Sequence, residues 1–225
     1  MSLFAIIDCL AVIAGAFSGA AEAARDECKH YDVVGVAGLG LASAVGGGVT
    51  RDVLLNRGVP LALVHVRYLI FAFAGILLAL ACRARISRGR QKVLTVVDAA
   101  GLGLFAVAGS TRAFDAGLHV LPSVLLGAVT AAGGGVWRDV LSGRTPTVFQ
   151  RGSPYVLVAV VASAVYFLAR SFGAPAGFPT LVASSVGFVM RLVALRLGWK
   201  TRAVREITPS PLRRQSKDPA RFPTN

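Results

Sequence analysis

The chain has 225 residues, of which 55% are hydrophobic and only 16% are charged, and its mean hydropathy is +0.66. Because a soluble domain carries about a quarter charged residues, this composition excludes an ordinary soluble protein and predicts an integral membrane protein. The net charge of +13 lies mainly in residues 83–92 and in the tail after Trp199. That clustering favours cytoplasmic segments of a membrane protein over a nucleic-acid-binding surface.

Seven apolar segments of about 20 residues follow one another, each long enough for a bilayer core of ~30 Å. The two basic segments should both lie in the cytoplasm. Seven spans put them on the same side, which predicts an outer N-terminus and a cytoplasmic C-terminus in the cell (inner) membrane. The predicted spans are residues 3–24, 33–55, 63–82, 93–113, 118–141, 154–170 and 178–197.

One motif occurs twice, as GGGVTRDVLLNR at 46–57 and as GGGVWRDVLSGR at 133–144. The same offset relates Tyr68 to Tyr155. Each copy belongs to a unit of three spans, and units with an odd number of spans insert with opposite topology, which predicts an inverted repeat. The predicted organisation is a first repeat (1–82), a basic cytoplasmic linker (83–92), a second repeat (93–170), a seventh helix (171–198) and a basic, disordered cytoplasmic tail (199–225).

The glycine triplets are poor helix formers, because each glycine costs about 1 kcal/mol relative to alanine. Their duplication ahead of an Arg-Asp pair predicts a functional bend or break near the membrane midplane, where freed backbone groups would line a cavity. The alternative is that the glycines only allow close helix packing. The candidate pore or helix-break residues are Gly46, Gly47, Gly48, Gly133, Gly134 and Gly135.

Charged side chains within apolar spans are costly and mark functional sites. We expect one aspartate in each repeat to compensate an arginine, Asp8 with Arg51 and Asp98 with Arg138, one pair at each mouth. The alternative is that the arginines snorkel to an interface, which is also the interpretation for Arg191. The candidates for pore charge or gating are Asp8, Arg51, Asp52, Asp98, Arg138 and Asp139.

The chain contains no catalytic motif, no phosphate-binding loop and no CxxC or HExxH pattern. Its cysteines, Cys9, Cys28 and Cys82, lack the spacing of metal ligands. We therefore expect a protein that is not an enzyme and that uses no cofactor and no metal site.

These motifs give the chain a family likeness over about residues 5 to 197. It resembles the prokaryotic trimeric intracellular cation channel (TRIC) family, whose bacterial sequences are also grouped as glycine-transporter-like two-repeat membrane proteins. The likeness rests on GGGVTRD at 46–52 and on GGGVWRD at 133–139. The segment DAAGLGLFAVAG at 98–109 supports it, because it is similar to that family's fourth helix.

The resemblance implies an all-α membrane protein with seven transmembrane helices, in which two inverted three-helix repeats are followed by a seventh helix. It implies a homotrimer with a pore in each subunit, kinked at the glycines of helices two and five. Monovalent cations would pass passively, chiefly potassium, with sodium as a second candidate. The expected partners are these cations, membrane lipids and further copies of the chain, without nucleic acid.

Two other functions stay open at this point. A secondary transporter for a small amino acid such as glycine would suit an inverted repeat with amide ends facing a carboxylate. The arginines Arg51 and Arg138 favour the transporter, since fixed positive charge in a pore repels potassium. Neutralisation of these arginines by neighbouring aspartates would favour the channel instead. The third option is a structural membrane protein whose glycines only pack.

Overall fold

The structure, a computed structural model, describes residues 3–26, 29–82, 91–152, 154–175 and 177–201. These residues are helical almost throughout, as the apolar spans predict. The elements are α1 (Leu3–Ala23), α2 (Val33–Leu55), the short α3 (Leu61–Val64), α4 (Val66–Cys82), α5 (Gln91–Asp115), α6 (Val120–Leu141), a 3-10 turn (Thr147–Phe149), α7 (Tyr155–Ser171) and α8 (Phe178–Arg196).

Local sequence signals set several helix ends. Asp32 caps α2, because its Oδ1 accepts a hydrogen bond of 2.7 Å from the Gly35 amide. Asn56 ends the same helix with a left-handed backbone (φ 48°), a conformation that asparagine tolerates better than most residues. A proline precedes both α3 and the 3-10 turn, Pro60 and Pro146 respectively, so neither element continues the helix before it.

The seven predicted spans each coincide with a described helix to within a few residues. The third differs, since a helix from residue 63 onward was predicted and the chain instead forms α3, an extended residue at His65 (φ −112°, ψ 107°), and then α4. The Asp52 side chain at the end of α2 accepts a hydrogen bond from the Leu61 amide at the start of α3. This contact holds α3 apart from α4. Most of the predicted linker (83–92) and tail (199–225) lies outside the described residues.

The helices pack as two bundles of three. The first contains α1, α2 and α4, and the second contains α5, α6 and α7, with α8 packed on α5 and α7. The bundles meet mainly along α2 with α6 and along α1 with α5. Each of these contacts joins helices that hold the same place in the two halves of the sequence, so the interface of the halves forms the centre of the molecule.

Five of the described helices, α1, α2, α5, α6 and α8, are long and apolar enough to cross a membrane. The helices α4 and α7 are apolar but shorter, with 17 residues each, or about 25 Å at 1.5 Å per residue. The chain is therefore an all-helical membrane protein, and the number of seven crossings stays a prediction.

The glycine triplets do not break their helices. Both α2 and α6 continue as α-helix through residues 46–48 and 133–135. The predicted break is therefore wrong for this conformation, because the backbone hydrogen bonds of each helix run on across the triplet. A bend within a continuous helix stays a prediction.

Candidate functional site

The middle glycine of each triplet allows α2 and α6 to touch. A Cβ built on Gly47 would lie far inside contact distance of the Thr130 carbonyl oxygen, and a Cβ on Gly134 would collide in the same way with the Ser43 carbonyl oxygen. Both obstacles are backbone atoms, which cannot move aside as a flexible side chain can. Close packing therefore explains Gly47 and Gly134, as the alternative interpretation proposed.

The last glycine of each triplet has no such packing reason. The nearest heavy atom to a Cβ on Gly48 would be a terminal nitrogen of Arg51 at 3.9 Å, and for Gly135 it would be a terminal nitrogen of Arg138 at 4.0 Å. Each position would accept a methyl group without displacing its neighbours. These two glycines are thus the members of the triplets for which helix flexibility is the remaining explanation.

A tryptophan of the second motif covers the first triplet. The Trp137 Nε1 donates a hydrogen bond of 2.9 Å to the Thr50 hydroxyl, which itself donates to the Gly46 carbonyl at 2.8 Å. A Cβ on Gly46 would lie 2.7 Å from Trp137 Cδ1. Gly46 therefore makes room for the indole ring.

Arg51 and Asp52 form a buried ion pair at the end of α2. The Nε and a terminal nitrogen of Arg51 each lie 2.8 Å from Asp52 Oδ1, and only 4% of the Arg51 side chain is exposed. The second oxygen of Asp52 accepts from the Leu61 amide at 2.9 Å. Asp52 thus neutralises the buried Arg51 guanidinium and anchors α3, since a buried charge is tolerable only when paired and hydrogen-bonded.

Arg138 and Asp139 repeat this arrangement at the end of α6. Arg138 donates to Asp139 Oδ1 through Nε at 3.0 Å and through a terminal nitrogen at 2.8 Å. Asp139 Oδ2 accepts from the amide and the hydroxyl of Thr147, at 2.9 and 3.1 Å. Arg138 also has a second partner, Glu22, whose carboxylate lies 2.6 Å from its other terminal nitrogen. The copies therefore differ in charge, with one carboxylate on Arg51 and two on Arg138.

The expected pairing of Asp8 with Arg51 is wrong. Asp8 instead accepts a hydrogen bond of 2.5 Å from the hydroxyl of Tyr68, and the guanidinium of Arg67 lies 5.2 Å from the centre of the Tyr68 ring. Asp8 and Tyr68 are both buried. Arg51 does not need Asp8, because its neighbour in the sequence already compensates it.

Asp98 does not make the expected direct contact with Arg138, although the two opposite charges line the same cavity and interact electrostatically. Asp98 Oδ2 lies 4.0 Å from a terminal nitrogen of Arg191 on α8, and the Arg191 guanidinium lies 4.8 Å from the centre of the Tyr155 ring. Only 12% of the Arg191 side chain is exposed. Arg191 therefore points into the protein and does not snorkel, whereas Arg196, five residues further along α8, is exposed.

A cavity of about 520 Å³ opens among α1, α2, α5, α6, α7 and α8. It holds both carboxylates and guanidinium groups, each close to a group of opposite charge. Among the residues that line it are Glu22, Asp26, Asp98, Arg138, Arg144 and Arg191. Near its rim Arg144 pairs with Asp26 at 2.5 Å. We call this space the large cavity.

Two further cavities lie toward the other side of the molecule. The small cavity, about 20 Å³, is lined by Asp8, Arg51 and Tyr68 among others. The outer cavity, about 260 Å³, is lined by residues that include Arg112 and Asp115. Asp52 and Leu61 line both the small and the outer cavity, and Phe105 lines both the small and the large cavity.

Five residues of this site are not among the candidates predicted from the sequence: Glu22, Tyr68, Phe105, Tyr155 and Arg191. Two signals were available for some of them. Tyr68 and Tyr155 share the offset of the motifs, and Glu22 and Arg191 are charged residues inside apolar spans, which mark functional sites. Phe105 carried no signal, since phenylalanine is ordinary in a membrane helix. Within the described ranges, no cluster of three His, Cys, Asp or Glu side chains could hold a metal ion.

Comparison with known sequences identifies similar membrane proteins. The sequence profile described as glycine transporter matches residues 5–84 and 95–171. A UPF0126 membrane protein of Streptomyces coelicolor is 41% identical over 204 residues, covering 91% of this chain and 92% of that protein. One from Deinococcus radiodurans is 39% identical over 168 residues (74% and 76%). The UPF0126 inner membrane protein YadS of Escherichia coli is 31% identical over 168 residues (74% and 81%).

Comparison with solved structures finds the same fold in TRIC channels. A TRIC cation channel solved to establish the structural basis of conductance is 35% identical, with a TM-score of 0.79, and the match covers 89% of this chain and 97% of that one. The TRIC trimeric intracellular cation channel orthologue from Rhodobacter sphaeroides is 29% identical, with a TM-score of 0.79 and coverage of 88% and 100%.

Proposed function

We propose that this chain, which belongs to the glycine transporter family of membrane proteins, is a cation channel with a pore in each subunit. Two TRIC cation channels share its fold at 35% and 29% identity. The observation that carries the proposal is a series of three cavities, in which the small cavity shares lining residues with each of the other two.

The path joins the three cavities through shared residues. It runs from the outer cavity past Asp52 and Leu61 into the small cavity, and from there past Phe105 into the large cavity. A space of about 20 Å³ holds about one water molecule. A hydrated cation therefore cannot pass, and we infer that this conformation is closed at its centre.

Reciprocal contacts support the proposed inverted repeat. Gly47 faces Thr130 while Gly134 faces Ser43, and these pairs exchange under the sequence offset of the two motifs. Contacts of this kind arise when a two-fold axis relates the surfaces that meet. An axis in the membrane plane would give the halves opposite topology, as three crossings per repeat require, and α8 would be the seventh crossing.

The charges along the path suit a monovalent cation. Arg51 and Arg138, which would repel it, each have a carboxylate in direct contact. Asp8 and Asp98 line the small and the large cavity, respectively, where a carboxylate raises the local concentration of cations. Potassium is the proposed permeant ion, with sodium as a second candidate. Bending at Gly48 and Gly135 would widen the path.

We further propose the assembly and the orientation. The Rhodobacter sphaeroides neighbour is a trimeric channel, and we propose a homotrimer here. The positive-inside rule supports a cytoplasmic position for residues 83–92. The large cavity, which is lined by the first part of α5, would then face the cytoplasm of the cell membrane.

One observation favours a second candidate, transport of a small amino acid. Asp98 and Arg191 present a carboxylate and a guanidinium 4.0 Å apart in the large cavity. This pair could hold the ammonium and the carboxylate of a zwitterion such as glycine. In that case Arg191 would be the substrate's anchor, since a planar guanidinium binds carboxylates in a bidentate manner.

Flux into proteoliposomes distinguishes the two candidates. Potassium flux at a set voltage and uptake of labelled glycine are measured for the unmodified protein, for Asp98→Asn and for Arg191→Gln. Arg196→Gln is the matched control, because Arg196 lies on the same helix but is exposed. A channel gives voltage-driven potassium flux that falls several-fold in Asp98→Asn. Saturable glycine uptake that is lost in Arg191→Gln, without potassium flux, would overturn the proposal in favour of the transporter.

A further inference from the structure

Phe105 occupies the boundary between the large and the small cavity. Among the described lining residues it is the one that both cavities share. It is 9% exposed, and it lies on α5, where its ring faces α1. A Cβ on Gly15 would stand 3.2 Å from the Phe105 Cε2 atom and 3.2 Å from the Ser43 carbonyl oxygen. The ring thus fills the space that the missing side chain of Gly15 leaves.

The position of this contact is central along the path. Phe105 follows Asp98 by seven residues on α5, and Gly15 follows Asp8 by seven residues on α1. Seven residues of helix rise about 10.5 Å. With Asp8 aligned on Asp98, an offset of 90 residues instead of the 87 of the glycine motifs, Gly15 and Phe105 hold the same place in the two repeats. The Phe105–Gly15 contact lies about two helical turns from each of the two aspartates.

Apolar side chains line both cavities beside the ring. Val12, Ala44 and Val45 line the small cavity beside it, and Leu102 lines the large cavity one turn before it. These side chains offer a passing cation no oxygen atom to replace its hydration shell, and the polar atom found beside the Phe105–Gly15 contact is the Ser43 carbonyl oxygen. An apolar constriction of this kind excludes water and blocks conduction by dewetting.

We propose that the Phe105 ring, seated against Gly15, is the central barrier of the permeation path, and that the ring must move away before a hydrated cation can pass between the two aspartates. This inference rests on the proposed function, which it deepens. A single ring suffices because the equivalent place in the first repeat is a glycine, so that two bulky side chains do not compete for the centre.

Thiol labelling tests the barrier without reference to the permeant ion. In a background with Cys9, Cys28 and Cys82 replaced by alanine, Val45→Cys places a thiol in the small cavity and Leu94→Cys places one in the large cavity. A charged, membrane-impermeant methanethiosulfonate is added from the side of the large cavity. We expect Leu94→Cys to react at the same rate with or without Phe105, and Val45→Cys to react at least tenfold faster in Phe105→Ala.

Flux gives the second readout. Potassium flux should rise about tenfold or more in Phe105→Ala and less in Phe105→Leu, which also serves if the alanine variant fails to fold. Phe114→Ala is the matched control on the same helix, because Phe114 packs on Phe167, with ring centres 5.2 Å apart, and lines none of the three cavities in the described part of the chain.

The outcomes separate the barrier from the proposed function. Faster labelling of Val45→Cys without potassium flux in any variant would support the barrier and refute the channel. Equal labelling of Val45→Cys with and without Phe105, whether fast or absent, would overturn the barrier, since the ring would then control no access. Potassium flux that rises equally in Phe114→Ala would overturn it as well.

Discussion

Trp137 donates a hydrogen bond of 2.9 Å to Thr50, and the two residues are 87 positions apart, the same offset that separates the two glycine motifs. Each residue therefore holds the place of the other in its own copy. Residues at equivalent positions can touch only where the two copies meet. This bond joins the C-terminal parts of α2 and α6 at the interface of the bundles, on which the proposed two-fold axis would lie.

The Thr50–Trp137 bond should contribute measurably to stability. We expect Thr50→Val and Trp137→Phe each to lower the free energy of unfolding, with a coupling energy of about 0.5–1.5 kcal/mol, the usual net value of one hydrogen bond. A double-mutant cycle on unfolding in detergent measures it. Strictly additive effects of the two substitutions would show that the bond contributes nothing.

Because α2 and α6 approach so closely at Gly47, an alanine substitution there should lower the free energy of unfolding. Gly47→Ala puts a methyl group against the Thr130 carbonyl, and because backbone must shift, we expect a loss of about 1–3 kcal/mol or more. Gly134→Ala should behave alike against Ser43. The matched control is Gly38→Ala on the same helix, whose Cβ would meet no described heavy atom within 4 Å. Thermal unfolding that ranks Gly38→Ala with Gly47→Ala would contradict the packing argument.

Alanine substitutions at Gly48 and Gly135 test helix bending without introducing a steric clash. Alanine fits at both positions and raises helix propensity by about 1 kcal/mol per site. We therefore expect the Gly48→Ala/Gly135→Ala variant to fold with unchanged or greater stability and to carry several-fold less potassium. Unfolding and proteoliposome flux are measured on the same preparation. Full flux in a stable variant would mean that conduction needs no bend at these glycines.

The two Arg-Asp pairs should differ in their response to loss of charge. Asp52→Asn leaves Arg51, 4% exposed, without its described acidic partner, and breaking a buried pair in this way costs about 3–5 kcal/mol. Asp139→Asn leaves Glu22 on Arg138, so its cost should be smaller. Comparison of the two unfolding free energies checks the order. Equal costs would indicate that Glu22 does not compensate Arg138.

Much of the fold follows from local sequence. The apolar runs predicted the helices to within a few residues, and the duplicated motif predicted that the chain has two corresponding halves. The exception is the stretch 61–66, where α3 and His65 interrupt a predicted continuous span. Its start is fixed by a bond from Leu61 to Asp52 on another helix, a contact that no local pattern announces.

For the candidate site, too, local sequence predicted some features and the packing of the helices decided others. Composition, apolar periodicity and the repeat are properties of neighbouring residues, so the sequence by itself determined the membrane class, the helices and the family likeness. Pairings across helices depend on the rotation and register of one helix against another, which only packing sets. The tertiary structure therefore decided that Arg138 reaches Glu22, that Arg191 turns inward to Asp98, and that Phe105 lies over Gly15 between the cavities.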